Sequence, residues 1–90
     1  MIIQMDEVTF ANGETYECSF LSTIDNNIAF IALANVTFAE AFSIFNNTQM
    51  TSSIRYGDNL LVGYTELISV SVQPYGIQAR LRGGHVEQIV

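Results

Sequence analysis

The cationic side chains of this sequence are Arg55, Arg80 and Arg82, and there is no Lys. Arg80 and Arg82 stand two positions apart. On a strand both guanidinium groups project from one face, where they could clamp a phosphate or a carboxylate. The competing readings are an edge-strand gatekeeper pair, or cross-strand pairing with Glu66. His85-x-Glu87 has the same spacing and would make an acid–base pair or two metal ligands. A single His with no second cluster cannot close a metal site within one chain, so this pair reads as part of a solvated tail. Cys18 would be a nucleophile with a base beside it. Alternation instead puts it on one strand face with Tyr16 and Phe20, where a free Cys is a small buried hydrophobe. Ser69 and Ser71 could be combined with His85 on paper, but no Gly-x-Ser-x-Gly turn is present. Gly57-Asp58-Asn59 and Gly83-Gly84 lack the spacing and the following helix of a phosphate loop, and read as turns. We therefore expect no enzyme, no metal and no cofactor, with Arg80 and Arg82 as the candidate site for a small anionic ligand.

Four tyrosines in 90 residues are numerous. Tyr64 and Tyr75 flank a long strand near turns, and Tyr suits interfaces because it brings a large area and a polar tip with few rotors. Hydrophobic residues make up 49% and charged residues only 13%, against about 25% charged in an average domain. The net charge is −6. Without a basic patch, binding to a nucleic acid backbone or an anionic membrane is not expected. The nine acids are scattered, which argues against a DNA mimic. The longest apolar run, Ile28 to Ala34, is far short of the roughly 20 residues of a membrane span. Met1 to Glu7 shows no basic segment before an apolar run, so Asn35-Val36-Thr37 and Asn46-Asn47-Thr48 read as chance sequons and the expected setting is a reducing cytoplasm.

These residues need elements to hold them. Asn12-Gly13 lies between Val8-Thr9-Phe10 and Tyr16 to Phe20, a strong hairpin signal. Asp25-Asn26-Asn27 marks a second turn. Ile28 to Ala34 is apolar on both faces, so it is expected to need cover on both, with Ile28 and Phe30 as interface candidates. Thr37 and Glu40 form a capping box that opens a helix over residues 37–47. At about 100° per residue Phe38, Ala41, Phe42 and Phe45 share one face, predicted to lie on a sheet. Asn46-Asn47 would end the helix in a left-handed cap. Met50 to Tyr56 reads as a strand, and Leu60-Leu61-Val62 leads through Gly63 into another. Ile68, Val70 and Val72 alternate with serines, Pro74-Tyr75-Gly76 turns the chain, and Ile77, Ala79 and Leu81 alternate with Gln78, Arg80 and Arg82. His85 to Val90 forms a short last strand. The pattern predicts a single α+β domain over residues 1–90, β-rich, with an antiparallel sheet or small barrel of about five to six strands and one amphipathic helix.

Phe10-Ala11-Asn12-Gly13, the helix Thr37 to Asn47 and Gly63-Tyr64-Thr65-Glu66-Leu67 together resemble short proteins encoded in prophages of Gram-positive (Firmicutes) bacteria, often near tail genes. Several of those proteins continue into a longer C-terminal tail. The resemblance implies a phage setting, in the host cytoplasm or the virion, and carries over no functional residue. A small domain poor in charge and rich in apolar residues is expected to bury surface against a partner. The leading expectation is thus a non-enzymatic, homo-oligomeric, virion- or assembly-associated interaction module. The alternative is an anti-defence inhibitor, either an anti-CRISPR-like protein blocker or a sponge for a nucleotide signal held by Arg80 and Arg82.

Overall fold

A computed structural model describes residues 6–25 and 27–89; the reading of the first residues, like Asn26 and Val90, lies outside them. In chain order the elements are β1 (Asp6–Thr9), β2 (Thr15–Ile24), β3 (Ile28–Leu33), α1 (Phe38–Phe45), α2 (Thr48–Thr51), β4 (Ser53–Tyr56), β5 (Asn59–Val62), β6 (Glu66–Gln73), β7 (Gly76–Arg82) and β8 (His85–Gln88). The strands form one open sheet of eight in the order β6-β7-β3-β2-β1-β4-β5-β8. Every neighbouring pair is antiparallel. The β-rich α+β class is as expected, but the count of five to six strands is corrected to eight.

The extra strands come from one corner. Val62 pairs with His85, and Glu66 pairs with Arg82. The same two runs of chain are therefore partners on both sides of Gly63-Tyr64-Thr65 and Gly83-Gly84. Together they form one long two-stranded ribbon, bent sharply in the middle. One half joins β3 through β7, and the other joins β4 through β5. Gly63 has φ +81°, a conformation glycine adopts without a Cβ penalty, and the Thr65 N–H donates back to the Gly63 carbonyl at 2.8 Å. A flat sheet of eight strands would be roughly 34 Å wide at the usual spacing. The longest extent of the molecule is 28 Å, so the sheet must curl. Its hollow side holds the core, including Phe10, Ile31, Leu33, Phe45, Leu61 and Tyr64.

The capping box forms: the Glu40 N–H donates to the Thr37 hydroxyl at 3.1 Å, and the Thr37 N–H reaches back to the Glu40 carboxylate at 3.4 Å. The face presented to the sheet differs from expectation. Ala41, Ile44 and Phe45 are buried, whereas Phe38 and Phe42 are exposed and stacked, with ring centroids 6.2 Å apart. The apolar arc from Ile44 round to Phe42 spans about 160°, wider than the sheet covers, and the packing of Phe45 on Phe10 turns its Ile44 side inward. Asn46 remains right-handed with φ −82°. Asn47 then caps α2, its side chain accepting from the Gln49 N–H at 3.0 Å. The expected strand from Met50 thus begins only at Ser53.

Candidate functional site

The convex side of β2, β3 and β7 brings together most of the residues singled out in the sequence. Phe30 stands opposite Arg80, and Ile28 opposite Arg82. The Arg80 guanidinium carbon lies 5.5 Å from the centre of the Phe30 ring, a cation–π contact. Arg82 is 3.5 Å from the Glu66 carboxylate, with both side chains largely exposed. The expected cross-strand pairing with Glu66 is therefore present for Arg82, and Arg80 is left to a ring face. Tyr75 joins them from the β6–β7 turn. Its hydroxyl donates to Gln78 at 2.5 Å, and its ring packs on Phe20 at 5.8 Å. The Ser19 hydroxyl donates to the Tyr75 carbonyl at 2.5 Å and ties that turn to β2.

Phe20 and Ile24 extend this patch, and neither was expected there. Alternation had placed Phe20 with Tyr16 and Cys18, facing one way. The β2–β3 register shifts between Cys18 and Phe20, a bulge centred on Ser19. One extra residue reverses the phase of everything after it. Cys18 points into the core and Phe20 out to solvent. A phase change from a bulge leaves no signature in side-chain type alone. The exposure of Ile28 and Phe30 is as the apolar β3 predicted only on one face. Ala29, Ile31 and Leu33 are buried on the core face, and on the other face Ala32 is buried while Ile28 and Phe30 are half-covered.

Tyr64 is corrected. It is fully buried at the ribbon corner, not exposed near a turn, and so presents nothing to a partner. Its hydroxyl is buried with no hydrogen-bond partner among the described residues. Corner glycines draw the chain inward here, and the ring fills the space they leave.

The remaining chemistry-bearing residues do not assemble. His85 Nε2 and Glu87 lie 2.9 Å apart on exposed β8. Ser69 and Ser71 sit on β6, at the opposite end of the strand order. Among the described residues no three His, Cys, Asp or Glu side chains gather as metal ligands. Shallow depressions lie elsewhere, one beside Tyr16, Glu40 and Ser43. Among the described residues no helix is long and apolar enough to cross a membrane.

Cys18 is held as a thiol. Burial pushes it up to about 11 from the usual 9.0, and its S–H donates to the Phe20 carbonyl at 3.1 Å. Burial and the Asp6 carboxylate, which accepts the Tyr56 hydroxyl at 3.0 Å, push Tyr56 up to about 12 from 10.0. Both groups hold their protons more tightly folded than unfolded. Their contribution is complete below the unfolded values and is lost as pH rises through the folded ones. Stability should therefore fall between about pH 9 and 12. A chemical-denaturation series in Cys18→Ala should lose the lower part of that fall, between pH 9.0 and about 11. An unchanged pH profile in that variant would refute the assignment.

Comparison with protein-family models, with curated proteins and with solved structures gives no match.

Proposed function

We propose that this chain is a non-enzymatic protein-interaction module, homo-oligomeric and associated with a phage virion or its assembly. The observation that carries the interaction reading is the convex patch of Phe20, Ile24, Ile28, Phe30, Tyr75 and Arg80. Among the described residues no helix packs on it, since the helix residues of the core cluster lie with the hollow side of the sheet. Aromatic rings and Arg are the residue types that dominate binding energy at protein interfaces. The phage setting rests on the sequence resemblance alone.

In particles purified from the phage-producing host, mass spectrometry should detect the chain. Arg80→Glu should lower its incorporation by about tenfold, the effect of one interface anchor worth ~1.4 kcal/mol, at unchanged melting temperature. Absence from particles would remove the virion reading.

Arg80 also favours a second reading, an anti-defence inhibitor. A guanidinium already stacked on one ring can engage a base or phosphate from its open side. In that case the protein is absent from particles and either captures a host defence protein or binds a cyclic nucleotide. Calorimetry would show the nucleotide binding lost in Arg80→Ala.

A further inference from the structure

Between α1 and β2 lies an open depression of about 420 Å³, lined by Tyr16, Ala39, Glu40, Ser43 and Ile44. Ala39 and Ser43 are neighbours one turn apart on α1, and both are short, which leaves the room. The Tyr16 ring meets Phe10 edge to face at 5.7 Å, and its hydroxyl donates to the Glu14 carboxylate at 2.7 Å. Glu40 is also held, because its Oε1 accepts from the Thr37 N–H and hydroxyl. Two carboxylates are thus fixed beside one ring. Each keeps a second oxygen that takes no hydrogen bond among the described residues. The Glu14 hydrogen bond, burial and the charges of Glu14 and Glu40 push the Tyr16 phenol above its ordinary value, so both carboxylates act at one spot. Among the described residues neither has a cation within ion-pair distance. Arg82 pairs with Glu66, His85 with Glu87, and Arg80 lies over Phe30.

We infer that this depression takes an arginine side chain from a basic segment of a partner protein. Charge selects the partner. A net charge of −6 draws in a cationic chain and repels an acidic one, and the two held carboxylates without a counter-ion mark where the cation ends. Chemistry selects the side chain. Ala39 and Ile44 give the apolar wall along which a methylene stem lies while its charged head stays near water. A guanidinium is planar and carries five donors, so it can stack on the Tyr16 ring while donating to the free carboxylate oxygens. An ammonium is a compact point charge and has no plane to stack. The depression is on the helical side of the sheet, away from the convex patch. It is therefore a second contact surface, and it stands or falls apart from the patch.

The test is a magnetic-resonance titration of the isotope-labelled full chain with N-acetyl-arginine amide at millimolar concentration. Saturable shifts should gather at Tyr16, Glu40 and Ser43. The citrulline analogue, which has nearly the same shape and no charge, should produce none. Glu14→Gln and Glu40→Gln should each weaken binding by about fivefold, the upper value for one exposed ion pair. The melting temperature should hold, because a glutamine still accepts from Tyr16 and still closes the capping box. Glu17→Gln is the control. It removes the same charge from the opposite face of β2, where Glu17 stands across from Glu7, and should leave the affinity within about twofold. Absent shifts, equal binding of citrulline, or an equal loss in Glu17→Gln would overturn the inference, the last by showing only general attraction to an acidic chain. Arg80→Glu should bind the probe as wild type does, so failure here leaves the reading of the convex patch untouched.

Discussion

Phe45→Ala should destabilise the protein by about 3–5 kcal/mol, the usual cost of deleting a buried phenyl ring. At 4–8 °C per kcal/mol for a domain of this size, the melting temperature should fall by roughly 20 °C. Phe45 is completely buried and meets Phe10 edge to face at 5.9 Å, and Phe10 meets Tyr16 in the same way at 5.7 Å. The ring thus joins the helical layer to the β1–β2 loop and to β2. An eight-residue helix is too short to persist alone in water, so α1 depends on that contact. The capping box contributes about 1 kcal/mol at most, and cannot compensate. Phe45→Leu, which refills most of the space, should recover much of the loss. A thermal melt of the Ala variant within a few degrees of wild type would show that the ring is not the anchor described.

Gly84→Ala should cost about 3 kcal/mol or more, well above an ordinary surface substitution. A Cβ at Gly84 would be driven into the Val62 carbonyl oxygen, and would lie 2.9 Å from both the Gly63 carbonyl carbon and the Tyr64 ring. Two of those neighbours are backbone and cannot swing aside. Gly63→Ala gives the internal comparison. Its Cβ would meet nothing nearer than 3.6 Å, so its cost is the positive φ alone, roughly 1–2 kcal/mol. Urea titrations should rank Gly84→Ala as the more damaging. Equal losses would mean that close approach at the corner is not what requires glycine at position 84.

Much of this arrangement was legible in residue order. Thr37 and Glu40 marked the helix start because a capping box depends on local spacing alone. Asn12-Gly13 marked the β1–β2 hairpin, although the connection is five residues long and Phe10 leaves the strand to enter the core. The alternation in β6 and β7 marked a half-buried pair, and the Arg82–Glu66 pairing followed from it. What was missed required tertiary information. The bulge at Ser19 flipped Phe20 without changing any residue type. The choice between Ile44 and Phe42 as the buried flank of α1 was made by Phe10, more than thirty positions away. Tyr64 is buried only because the ribbon folds back on itself. The convex patch was half visible through Ile28, Phe30, Tyr75, Arg80 and Arg82. Its other half, Phe20 and Ile24, follows only once the bulge is known.

The bent ribbon has a consequence for how the molecule comes apart. The outermost strand on each side is covalently continuous with the second strand on the other: β6 runs on into β5, and β8 follows from β7. Each border is therefore tied, through a hinge of two or three residues, to the strand beside the opposite border. In an ordinary open sheet each border frays by itself, with its own small opening energy. Here one bent ribbon, residues 59–88, supplies the last two strands at both margins, so the two ends of the sheet are laid down by a single stretch of chain.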